Sequence, residues 1–130
     1  MATILTENIL STPNSGSNVN FTNPESLTNT ETFSFIFNDS NDDFYIIADA
    51  SASAPGNYTI TFAKGDFPSA KAPAVINFTD SQVYFIMIES GMIGKDSGIA
   101  TFTLTTTITG GLANTGIKLA VVKKRFVKNN

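Results

Sequence analysis

The sequence predicts an all-β, single-domain antiparallel β-sandwich, immunoglobulin-like or jelly-roll-like, with an extended N-terminal arm. Three observations point there. Residues 58–122 run through YTITFAKGD, APAVINF, VYFIMIESG, IATFTLTTTI and GIKLAVV, short apolar runs each closed by Gly, Pro, Asp or Asn. No segment of useful length places apolar residues at helical spacing. Only 15% of the 130 residues are charged, and Thr, Asn and Ser fill the polar positions, as suits the solvent face of a pleated strand. About seven to nine short strands with regular turn signals is the pattern of a sandwich or a barrel-like relative.

Residues 1–30 read as the arm and residues 31–130 as the sandwich, which ends in a short basic tail. In the arm, Thr3–Leu10 predicts one short strand and Val19–Thr22 a second. The Ser, Thr, Asn and Pro residues around them leave apolar side chains too sparse to build a layer. The domain then opens with TFSFIFN, placing Phe33, Phe35 and Phe37 on one face and Thr32, Ser34 and Ile36 on the other. A polar NDSNDD turn leads to FYIIAD, and Pro55-Gly56 punctuates the next turn. Tyr58, Ile60 and Phe62 follow on one face. VYFIMIE is apolar on both sides and predicts a central strand with both faces covered, so that Phe85 and Ile86 join Phe35, Phe62 and Phe102 in the core. From Ile99 onward, Ala100, Phe102, Leu104 and Ile108 oppose a wet face of threonines. Ile117, Leu119 and Val121 close the domain.

The composition excludes much chemistry. Without Cys there is no disulfide, thiolate or zinc cluster, and without His the commonest general base and transition-metal ligand are both missing. No metal or cofactor is expected. The net charge of −3 hides a gradient: residues 1–63 hold no Lys or Arg, whereas Lys118, Lys123, Lys124, Arg125 and Lys128 crowd the end. No window is apolar over the length a bilayer requires, and the start lacks a continuous apolar signal core. The expectation is a product made in the cytoplasm, with no membrane partner.

Partial motifs fall to blander readings. Asp39, Asn41 and Asp43 alternate like the start of a calcium loop, but Phe44 stands where Gly is needed and Ala50 where a bidentate Glu belongs. Glu89-Ser90-Gly91 supplies a hydroxyl beside a carboxylate with no base placed for it. KKRFVKNN is too short a basic cluster, in a chain of pI 4.7, to predict nucleic-acid binding. Asn20-Phe21-Thr22, Asn57-Tyr58-Thr59 and Asn77-Phe78-Thr79 match the glycosylation pattern as chance products of an Asn- and Thr-rich chain. No catalytic residues are assigned, and the chain is not expected to be an enzyme.

Over Phe33–Val122 the layout resembles the small bacteriophage head proteins that decorate the outside of the capsid. The matching pieces are TFAKGDFPSA, the apolar strand ending in Glu-Ser (FIMIESG), the turn Asp96-Ser97-Gly98, and the closing strands IATFTLTTTI and GIKLAVV. The chain departs from that pattern at Gly91-Met92-Ile93, where the family usually has an aromatic and basic pair, and in its N-terminal arm and basic tail. The resemblance implies a structural protein on the capsid exterior of the virion. Its partner would be the major capsid protein and it could form a homo-oligomer such as a trimer, with no nucleic-acid contact. It would stabilise the expanded head across capsomer seams. Ile4, Leu5, Ile9 and Leu10 are the candidates for strand addition to the shell, with pairing inside their own domain as the equal alternative, and Lys123, Lys124 and Arg125 are the candidates for pairing with its carboxylates. The rival readings are another virion sandwich, from a tail or fibre, and a carbohydrate-binding or adhesion module.

Overall fold

The computed structural model describes residues 2–5, 7–10, 16, 18–36, 43–65, 74–87 and 98–124. Among these residues nine strands carry the fold: β1 (Thr3–Ile4), β2 (Glu7–Leu10), β3 (Thr30–Ile36), β4 (Asp43–Asp49), β5 (Asn57–Phe62), β6 (Val75–Thr79), β7 (Val83–Ile86), β8 (Ile99–Thr106) and β9 (Lys118–Lys124). A single 3₁₀ turn spans Leu112–Asn114. The strands form a five-stranded sheet in the order β1-β3-β8-β5-β6 and a four-stranded sheet in the order β2-β9-β4-β7.

The pairing is nested. β5 and β6 form a hairpin at the centre of the chain, β4 pairs with β7, β3 with β8, and Thr22 with Leu119 of β9, each around the last. From β3 to β9, every link except β5–β6 passes from one sheet to the other. The additional pairs β5–β8 and β4–β9 join this rolled arrangement side by side.

The strands bury the faces that their alternation predicts. Tyr58, Ile60 and Phe62 point inward from β5, and Ala100, Phe102 and Leu104 from β8. Phe102 sits among Phe33, Phe35 and Phe62, with ring centroids 5.4, 6.5 and 5.4 Å away. Phe35 meets Phe44 of the opposite sheet at 5.2 Å, so the two sheets share one core. Ile117, Leu119 and Val121 complete it.

Three expectations need correction. The sheets are mixed: β1 runs parallel to β3, and β2 runs parallel to β9. Parallel neighbours need a long return connection, and both pairs have one in sequence: residues 5–29 separate β1 from β3, and residues 11–117 separate β2 from β9. The expected single strand Thr3–Leu10 is divided at Leu5, where the chain leaves one sheet for the other. The Leu5 amide donates to the Ser34 carbonyl at 2.8 Å, and its side chain is only 2% exposed. Of the two alternatives for the N-terminal segment, pairing within its own domain is the one formed, and of Val19–Thr22 only the Thr22 bridge is formed.

The third correction concerns VYFIMIE. Its described part includes β7, which among the described residues is an edge strand with β4 alone beside it. Tyr84 and Ile86 turn inward, but Val83, Phe85 and Met87 are 50%, 69% and 68% exposed. A run apolar on both sides leaves its second face bare when no layer of described residues lies over it.

Candidate binding surface

β4 and β7 position the most exposed apolar ground on the four-stranded sheet. Their register sets Phe85 beside Ile47 and Val83 beside Asp49, and β9 continues these rows with Ala120 and Lys118. Phe44, Ile46 and Ala48 are buried, so the half-exposed Tyr45, Ile47 and Asp49 take the outward side of β4. Phe85, Val83 and Ile47 thus form one apolar face, with Met87 following directly at the end of β7. A patch of this kind, held on paired strands, is the usual mark of a protein-contact surface.

The charges on this face neutralise one another. Lys118 Nζ lies 3.6 Å from Asp49 Oδ2 and 4.8 Å from the centre of the Phe21 ring. The Asp49 carboxyl is held below its ordinary value chiefly by the Ser51 hydroxyl, 2.6 Å away, with help from the Ser51 amide and Lys118 against a smaller opposing effect of burial. Asp80, in the turn between β6 and β7, is also held low, first by the Gly56 N–H and then by the Ser81 hydroxyl.

The residues expected to contact a shell are scattered. Ile4 is 71% exposed on β1 and Ile9 40% exposed on β2, whereas Leu5 belongs to the core. Leu10 is paired through its backbone with Lys124, but the side chains of both lie outside the described residues, as does Arg125. Lys123 is a correction: it is 1% exposed, and its Nζ donates to the Ile36 carbonyl. Strand alternation turns position 123 to the same side as Leu119 and Val121, so β9 carries this lysine inward rather than toward a carboxylate on another protein.

The other candidates do not assemble into a catalytic site. Asp39, Asn41, Glu89, Ser90 and the Asp43 side chain lie outside the described residues. Among the described residues no three His, Cys, Asp or Glu side chains are grouped to hold a metal, and no helix is long and apolar enough to cross a membrane. An open cleft of about 510 Å³ beside β1 contains Glu25 and Glu31. Glu31 is occupied there: one oxygen accepts the backbone N–H groups of Glu25 and Ser26 at 2.8 and 2.6 Å, and the other accepts the Thr3 hydroxyl at 2.8 Å. It ties the 25–26 turn to β1 and β3.

Sequence reasoning missed Val83, Phe85 and Met87. The signal was their continuous apolar run, taken as evidence of two covered faces when it reports only two apolar ones. The chain matches no family model, no curated protein and no solved structure.

Proposed function

We propose that this protein is a non-enzymatic binding protein of the phage capsid decoration type, docking on the outer surface of an expanded head through the apolar face of β4 and β7. The observation that carries this reading is Phe85, 69% exposed on a paired strand between Val83 and Met87. An apolar side chain held in water gains by association, on the order of 25 cal/mol for each Å² covered. The near-neutral charge of the same face favours a protein partner over a phosphate backbone.

In this reading the finer architecture is a jelly-roll-like sandwich, supported by the nested pairing and the sheet-to-sheet links. The N-terminal strand joins it in parallel beside β9. The docking action is physical. A protein laid across a capsomer seam adds contacts available only in the expanded lattice, and mass action then favours that lattice. A patch of roughly 800 Å² per partner is a standard size for specific association, and repetition over many lattice positions multiplies its effect. Exposed Ile4 and Ile9 remain secondary contacts, while buried Leu5 and Lys123 act in the fold itself.

Sedimentation of the protein with undecorated heads tests this reading, with immature shells as the control. Wild-type protein should co-sediment with expanded heads only, and Phe85→Ser should remain in the supernatant while keeping its melting temperature. Equal binding of wild type and Phe85→Ser would remove this face from the contact, and no binding by wild type would remove the decoration reading.

A further inference from the structure

Two sequence motifs that looked like coincidences meet in the fold. The β5–β6 register sets Asn57 opposite Thr79, Tyr58 opposite Phe78 and Thr59 opposite Asn77, so the tripeptides Asn-Tyr-Thr and Asn-Phe-Thr lie antiparallel and face to face. Tyr58 and Phe78 are buried and stack at 5.3 Å, while the amides and hydroxyls take the alternate, solvent-facing positions. Thr59 Oγ1 donates to Asn77 Oδ1 at 2.8 Å, and Thr79 Oγ1 donates to Gln82 Oε1 at 3.1 Å. Tyr84 is half-buried, its ring 5.3 Å from that of Phe78. These side chains line a cleft of about 550 Å³ whose wall, among the described residues, holds no Asp, Glu, Lys or Arg.

We propose that this cleft binds a neutral saccharide of one or two sugar units. A sugar hydroxyl is donor and acceptor at once, so it is matched by groups offering both on a fixed frame. In both Asn77 and Gln82 a threonine hydroxyl occupies the carbonyl oxygen, and neither amide nitrogen has a partner among the described residues. Two amide NH2 groups are thereby available on paired or adjacent backbone. The threonine oxygens, having committed their hydrogens, retain lone pairs as acceptors. Tyr84 adds an apolar body with a polar tip, the kind of surface on which the C–H face of a pyranose packs. The cleft volume falls within the ordinary range for small-ligand sites. The uncharged wall gives no counter-ion to a phosphate or carboxylate, which selects a neutral ligand. The cleft borrows Tyr84 from β7, but Tyr84 turns to the opposite side of that strand from Val83 and Phe85, so the two surfaces share no side chain and neither proposal rests on the other.

Full-length protein tested by saturation-transfer NMR against glucose, galactose, mannose and N-acetylglucosamine, and their β-linked disaccharides at millimolar concentration, decides the matter. The same sugars immobilised on beads distinguish a site for a free sugar from one that works on a glycan-covered surface. Asn77→Ala with Gln82→Ala removes both amide donors from exposed positions without adding a charge to the cleft. Transfer to at least one sugar, weakened about tenfold or more in the double variant at unchanged melting temperature, is the expected result. Retention on beads alone, lost in the double variant, equally supports the site and assigns it to surface glycans. Absence of both signals in wild type overturns the proposal, as does a signal the double variant leaves intact. The variant's binding to phage heads should be unchanged, so the two readings fail separately.

Discussion

β8 and β7 are both strongly apolar in sequence, and they end in opposite circumstances. β8 lies inside the five-stranded sheet between β3 and β5, with Phe102 and Leu104 buried and Thr101, Thr103 and Thr105 half-exposed on the far side. β7 lies at an edge with Phe85 in water. The difference lies in what each pattern encodes. Alternation names the face that must be wet, so it fixes orientation by itself. A continuous run says only that neither face requires water. Whether the second face is covered by the chain's own layers, by a partner or by nothing is decided by tertiary placement.

The sharpest way to break this comparison is through its buried side. Phe102→Ala removes a ring packed against three other phenylalanines and should cost about 3–5 kcal/mol in urea unfolding. A cost below about 1 kcal/mol would place β8 outside the core and undo the contrast. Next in size is the support beneath β3. Gly111 has φ +91°, and a Cβ there would stand 2.4 Å from the Leu27 carbonyl oxygen. The neighbouring Leu112 and Ala113 amides hold Thr28 and Ser26 through their carbonyls at 2.9 and 2.8 Å. Gly111→Ala should therefore lower stability by about 1–3 kcal/mol, and an unchanged melting temperature would mean the 26–28 loop does not need this close approach.

A smaller effect sharpens the exposed side. Because the Asp49 carboxyl is held below its unfolded value, its stabilising contribution is present above the unfolded pKa and is lost as pH falls through the folded one. Unfolding midpoints of wild type and Asp49→Asn should differ near neutrality and converge in acid. A constant gap across the acid range would exclude linkage at Asp49. The smallest expected effect is the most telling: Phe85→Ser should change stability by no more than about 0.5 kcal/mol, as surface changes do, even as it abolishes docking. A cost comparable with that of Phe102→Ala would put Phe85 inside the fold.

Much of the fold was legible because alternation is a local signal. The inward faces of β3, β5 and β8 follow from residues such as Phe33, Ile60 and Phe102 without knowledge of their partners. Pairing was not legible. Thr3–Leu10 reads as one strand, and nothing local reveals that Leu5 marks its passage between two sheets or that both halves pair in parallel. Lys123 illustrates a different limit. Its charge suggests solvent, yet the phase of β9 carries it inward, where the Ile36 carbonyl accepts a hydrogen bond from its Nζ. For the two candidate sites, the residue types were visible, but their juxtaposition across β4–β7 and β5–β6 exists only after the chain has folded.

The nested pairing also sets a timetable. Only β5 and β6 are neighbours both in sequence and in the sheet; β3 waits for β8, and β9 must be inserted between β2 and β4 before the four-stranded sheet is whole. Because the loop-closure entropy of these distant pairs must be met before their contacts form, folding falls in the slow regime of high contact order. During synthesis β2, β3 and β4 leave the ribosome with their apolar faces unmatched, and the four-stranded sheet can close only when β9 has been made. Loss of a few residues within β9 would strand both halves of the four-stranded sheet, whatever the quality of everything made before it.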